Sequence, residues 1–136
     1  MKNIDVAVGI VEKAGYILIA RRLQSSHMGG FWEFPGGKIQ QGESAVQTVL
    51  RELVEECALK VETLGEICHY GYAFEDRYIQ FTFIACRWLE GEAKPHAAQE
   101  IRWVPVQDLG QFPFPPANAL ILEKLQMGGW FQAKDR

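Results

Sequence analysis

The chain has 136 residues, 48% apolar and 23% charged, with a formal charge of −3 and a pI near 5.6. That length suits one domain around a single sizeable core, and the mild acidity argues against a surface that grips a nucleic-acid polymer. Cys57, Cys68 and Cys86 are odd in number and lack Cys-x-x-Cys spacing, so they are expected to be reduced packing thiols rather than a disulfide framework or zinc site.

Ile4 to Val11 and Tyr16 to Arg21 are predicted strands, joined by the turn-forming Glu12-Lys13-Ala14-Gly15. Asp5 interrupts the first apolar run, and no segment approaches about 18 continuous apolar residues, so a cytoplasmic protein with no membrane partner is expected. Gln24 to Trp32 reads as a loop. After it comes Phe34-Pro35-Gly36-Gly37-Lys38, whose glycines permit tight turns beside a ligand. Gly36-Gly37-Lys38 is no P-loop: that motif needs Gly at position 32 and Ser or Thr at 39, where Trp32 and Ile39 stand. A helix is predicted from about Ser44 to Cys57, with Ser44 and Gln47 at capping-box spacing.

Val61 to Tyr70 and Tyr78 to Trp88 are two further strands, with Phe74-Glu75-Asp76-Arg77 between them. The second alternates, with Ile79, Phe81, Phe83 and Ala85 on one face and Gln80, Thr82 and Ile84 on the other. Gly91 to Gln99 is a loop and Arg102-Trp103-Val104-Pro105 a short strand. Pro115-Pro116 precede a last helix from about Ala117 to Gln126, with Leu120, Ile121 and Leu125 facing inward. No repeat or linker interrupts this mixed α/β order, so residues 1–136 are expected to form one domain.

The first helix carries the chemistry. At about 100° per residue, Glu52, Glu55 and Glu56 fall within a sector of roughly 100°, and Val46, Val49, Leu50 and Leu53 are expected to face the core from the opposite side. Like charges three and four residues apart repel on a bare helix. A cation reverses that sign, and carboxylate oxygens suit Mg2+ or Mn2+, which commonly bridge protein carboxylates to substrate phosphates. A solvated Glu-rich face is the bland alternative.

The spacing decides between them. Gly37, five residues, Glu43, seven residues, then Arg51-Glu52-Leu53-Val54-Glu55-Glu56 resembles the signature of the Nudix hydrolases through Leu59. One position departs: Ala58 stands where that family has glycine, near the helix end, where glycine serves as a left-handed cap. The resemblance implies an α/β/α sandwich, a mixed sheet with helices on both faces. It also implies inner metal ligands at Glu52, Glu55, Glu56 and the Gly36 carbonyl, with Mg2+ or its substitute Mn2+ as cofactor. Arg51 would hold a carboxylate of the box, Glu43 being a partner for a bidentate pair. Either Glu52 or Glu100 would serve as general base.

Features outside the box resemble the MutT branch of that family, which hydrolyses 8-oxo-dGTP to its monophosphate and pyrophosphate. These are Arg21-Arg22 followed by His27-Met28, then Glu33-Phe34-Pro35-Gly36-Gly37-Lys38, Phe74-Glu75-Asp76-Arg77 and Phe114-Pro115-Pro116-Ala117-Asn118. They imply substrate contacts at Arg22, His27, Glu33 to Lys38, Arg77 and Asn118. An Asn amide offers both a donor and an acceptor, as an edge of a purine does; its competing role is a helix N-cap. A small nucleotide substrate and a monomeric enzyme are expected. The alternatives are a pyrophosphohydrolase for CTP or another pyrimidine nucleotide, and a catalytically silent Nudix module that binds a nucleotide or a partner protein.

Overall fold

The computed structural model describes residues 2–132. Its sheet is organised around β1 (Lys2–Lys13), which runs parallel to β6 (Arg77–Glu90) from Lys2 opposite Arg77 to Glu12 opposite Arg87. The other edge of β1 is divided. Val6 to Val8 pair antiparallel with β4 (Gly36–Lys38), while Glu12 and Lys13 form a hairpin with β2 (Tyr16–Arg21). β2 pairs in turn with β3 (Trp32–Glu33) and β7 (Glu100–Pro105), and β5 (Lys60–Ala73) pairs antiparallel with β6. The product is a mixed sheet of seven strands.

Strand periodicity sorts apolar side chains to the two faces. Ala7 and Val11 of β1, Leu18 of β2, and Ile84 and Cys86 of β6 pack with Val49, Leu53 and Cys57 of α1 (Ala45–Cys57). Val8, Ile10, Ile17, Ile19, Phe83 and Ala85 point to the other side, where Ile121 and Leu125 of α2 (Ala119–Met127) cover them. The expected sandwich and the alternation of β6 are both present. The two cores share no side chain, so the sheet is covered on both faces.

Several expectations shift. The glycine-rich stretch is not a turn: Gly36 to Lys38 form strand β4, and neither glycine has a positive φ. Val46 and Leu50 are exposed, and the buried face of α1 is Thr48, Val49, Leu53 and Cys57. The reason is angular. Val49 lies only about 20° from Glu56 around the helix, so the acidic ridge borders the core instead of opposing it. Leu120 is likewise exposed while Ile121 and Leu125 face the sheet, and α2 starts later than expected, after a 3-10 turn at Pro116–Asn118. A second 3-10 turn at Val106–Gln111 had no sequence signal. All three cysteines are free thiols; burial pushes Cys57 and Cys86 up to about 12, which suits packing rather than reactivity.

Ala58 ends α1 in the left-handed conformation, at φ 60° and ψ 36°, and its N–H reaches the Leu53 and Val54 carbonyls. A Cβ at such a position is strained. Ala58→Gly is therefore expected to stabilise the protein by about 1 kcal/mol, read as a raised denaturant midpoint at unchanged slope. A lowered midpoint would show that the methyl group contributes more than the strain costs.

Candidate active site

The start of α1 is fixed by a reciprocal cap. Ser44 Oγ accepts from the Gln47 N–H at 3.1 Å, and Gln47 Oε1 accepts from the Ser44 N–H at 2.8 Å. This leaves Glu43 just ahead of the helix, with Arg51 two turns along it. Arg51 Nε donates to Glu43 Oε2 at 2.7 Å and Nη2 to Oε1 at 3.0 Å, a two-pronged pair. The Thr48 hydroxyl and the Gln40 N–H also donate to Glu43 Oε1, at 2.8 and 3.0 Å. The Arg51 guanidinium, and after it the Gln40 amide, holds the Glu43 carboxyl at about 2, and Arg51 is raised in turn. The third nitrogen of the fork, Nη1, donates to Glu52 Oε2 at 2.9 Å and Glu55 Oε1 at 3.2 Å.

The ridge then divides. Glu55 is 59% exposed and turns towards Arg51, whereas Glu56 lies against Gly36 and Glu52 against Gly37, both beneath β4. Burial first, and then the nearby Glu52 charge, push Glu56 up to about 8. The Gly36 N–H donates to Glu56 Oε1 at 3.3 Å and so opposes that rise. N–H and C=O of one strand residue point to the same side, so the Gly36 carbonyl is also directed away from β1. A Cβ on Gly37 would overlap the Glu52 carboxylate, and one on Gly36 would overlap the Ala7 carbonyl. Glycine is needed here for close approach.

Among the described residues, no three His, Cys, Asp or Glu side chains converge as a ready-made metal cluster. What the site offers is two neighbouring carboxylates, Glu52 and Glu56, beside the Gly36 carbonyl. That donor set fits Mg2+, which usually takes one or two carboxylates and completes its shell with water and substrate phosphate.

On the other side of β4 lies a cavity of about 260 Å3. Arg22, His27, Glu33, Phe34, Gly36, Gly37, Lys38, Arg77 and Asn118 all line it. Of the residues singled out as substrate contacts, Pro35 alone is elsewhere, facing Glu56 and Ala98. Arg22 is held by Glu33, at 2.6 Å, and by the His27 carbonyl, at 2.6 Å. Arg77 lies over the Phe74 ring, and its buried Nε has no hydrogen-bond partner. Asn118 occupies the N-cap position of α2 but makes no capping hydrogen bond with its side chain, so its amide is left to the cavity. Glu100 begins β7 opposite Arg21 and pairs with Arg21 at 3.5 Å and Arg102 at 3.0 Å; it does not line the cavity. Sequence reasoning missed the apolar floor, Val6, Val8, Ile79 and Phe81. The alternation of β6 had marked Ile79 and Phe81 as facing one way, without saying that a pocket lay there.

A glutamate-rich helix set under a glycine strand, with a cavity on the strand's other side, is the arrangement of a hydrolase that cleaves phosphoric anhydrides. Residues 6–124 match the NUDIX domain family. The chain belongs to the Nudix hydrolases. It is 38% identical over 128 residues to the 8-oxo-dGTP diphosphatase of Escherichia coli strain K12, covering 93% of this chain and 98% of that one. It is also 34% identical over 124 residues to the CTP pyrophosphohydrolase of the same strain, covering 90% and 91%. The solution structure of the E. coli ORF135 protein superposes with a TM-score of 0.79 at 31% identity, over 93% and 91% of the two chains. Nudix hydrolases act on small nucleotide substrates and generally use divalent metal ions. Among the described residues, no helix is long and apolar enough to cross a membrane.

Glu56 binds its proton more tightly in the folded chain than in the unfolded one. Between pH 4.5, the ordinary value, and about 8, the folded state therefore holds a proton that the unfolded state has lost. Stability from this group is full below that window and declines as pH rises through it. In chelator-treated protein, Glu56→Gln is expected to flatten the fall in Tm between about pH 5 and 8. Parallel profiles for variant and wild type would show that the carboxyl titrates normally.

Proposed function

We propose that the chain hydrolyses 8-oxo-dGTP to 8-oxo-dGMP and pyrophosphate, with Mg2+ bound at the acid pair and Mn2+ as a substitute, and so clears an oxidised nucleotide from the pool that feeds DNA synthesis. The observation that carries this reading is a shared wall. Gly36 and Gly37 line the cavity, while Gly36 donates to Glu56 and Gly37 abuts Glu52. A base in the cavity would therefore place its phosphates over the carboxylates. The name of the 38% identical E. coli relative supports the substrate, as does an Asn118 amide free to pair with a purine edge.

In this reading Glu52, Glu55, Glu56 and the Gly36 carbonyl would hold the cation. When bound, the ion neutralises phosphate charge and lowers the pKa of water. Arg51, anchored on Glu43, sets the direction of Glu52 through its 2.9 Å contact. Glu52 takes the proton of the attacking water; one oxygen–phosphorus bond forms as the anhydride bond breaks, and the bridging oxygen leaves with the electron pair. Glu100 is less suited as base, because two arginines occupy its carboxylate. Arg22, Lys38 and Arg77 supply positive charge around the nucleotide; Glu33, with Arg22, shapes the wall. The chain acts as one domain, which the span of the family match and the continuous sheet support, and a monomer in the cytoplasm is proposed with it.

Two variants test the two halves of the site. Glu52→Gln keeps shape and removes charge, and is expected to lower kcat by about a thousandfold or more; near-normal turnover would remove Glu52 from the chemistry. Asn118→Ala is expected to weaken 8-oxo-dGTP by about 1–3 kcal/mol in kcat/KM, narrowing its advantage over dGTP. Pyrophosphate release from 8-oxo-dGTP, dGTP and CTP provides the readout, and preference for CTP would replace the oxidised purine as substrate.

A further inference from the structure

The turn that presents Asn118 is held from a distance. Pro116–Asn118 make one short 3-10 turn, tied internally by backbone hydrogen bonds from the Asn118 N–H to the Pro115 carbonyl at 2.9 Å and from the Ala119 N–H to the Pro116 carbonyl. Two aromatic side chains fasten it from outside. Phe114, just before the two prolines, stacks on Phe34 with ring centroids 5.1 Å apart. Beyond the prolines, Tyr70 of β5 donates its hydroxyl to the Ala117 carbonyl at 2.7 Å, across a separation of 47 residues. That carbonyl belongs to the peptide unit that joins Ala117 to Asn118, so its direction fixes the base of the Asn118 side chain.

Tyr70 is itself well anchored. Its ring lies against Phe83 and Phe81, with centroids 5.4 and 6.0 Å away, and Phe81 belongs to the cavity floor. Burial pushes the hydroxyl up to about 12, against a smaller opposing effect of the Ile121 amide, so it is a donor throughout the neutral range. One rigid stack thus joins the floor on which a base would rest to the turn that would read its edge. Tyr70 does not line the cavity.

We propose that Tyr70 is a positioning residue for base selection: its hydroxyl, through the Ala117 carbonyl, sets the Asn118 amide against the cavity floor. This rests on the assignment of Asn118 to base contact made above. A purely structural hydroxyl would satisfy a carbonyl and add stability, and its loss would leave selectivity where it was.

Tyr70→Phe keeps the ring and removes the donor. Steady-state hydrolysis of 8-oxo-dGTP, dGTP and CTP would be measured for wild type, Tyr70→Phe, Asn118→Ala and the double variant, with Tm alongside. For the nucleotide that wild type prefers, Tyr70→Phe is expected to raise KM about three- to tenfold with kcat within about twofold. Its kcat/KM advantage over the next nucleotide shrinks by the same factor. In the Asn118→Ala background the substitution should no longer change that ratio, because the amide it positions is gone. An unchanged ratio with a lower Tm, or an equal loss in both backgrounds, would overturn the proposal. If wild type prefers CTP, the substrate assignment fails while the ratio still decides the role of Tyr70. No base preference in wild type would sink both.

Discussion

The site depends on how closely a three-residue strand approaches a helix. β4 lies directly against the carboxyls of α1, and no side chain fits between them: a Cβ at Gly37 would occupy the space of the Glu52 carboxylate. This contact half-buries Glu56 near Glu52 and raises its affinity for a proton. It also makes the opposite surface of the strand a wall of the cavity. In the proposed reading, chemistry and recognition are coupled because the same backbone separates the carboxylates from the cavity by its own thickness.

Around that contact, the acids divide into those that are satisfied and those that are not. Glu43 receives two guanidinium nitrogens, a hydroxyl and a backbone amide, and is a structural anchor. Glu55 is solvated and paired with the tail of the same fork. Glu52 and Glu56 lie together beneath β4, and burial with the Glu52 charge raises the affinity of Glu56 for a proton. A divalent ion would relieve the repulsion more fully, since it would neutralise both carboxylates. One arginine thus keeps three carboxylates in order while leaving the fourth to the ligand side. The helix tolerates this acidity because its core side is apolar: Val49 and Leu53 are fully buried against the sheet.

The pocket is assembled from distant parts of the chain. Arg22 and His27 come from the segment after β2, Phe34 and Gly36 to Lys38 from the glycine strand, Arg77 to Phe81 from β6, and Asn118 from the turn before α2. The parallel pairing of β1 with β6 brings the second and third groups together, since Val8 is flanked by Gly36 on one side and Phe83 on the other. A fold that neighbours strands of such different sequence position builds a recognition surface without any local motif for it.

What could be read from the chain alone was local or strictly spaced. The capping box located the start of α1, the left-handed conformation at Ala58 followed from its place after the last turn, and the alternation in β6 sorted its two faces, because each obeys a geometry of a few residues. The signature spacing identified the family for the same reason: carboxylates on one helix keep their relative angles wherever the helix goes. Tertiary structure decided the rest. It turned the glycine stretch into a strand, because β1 offered an unpaired edge from Val6 to Val8. It exposed Val46, Leu50 and Leu120, because the burial direction of a helix depends on which sheet face it meets. It also separated Glu52 and Glu56 from Glu55, since equal charges on one ridge become unequal once a neighbouring strand buries two of them.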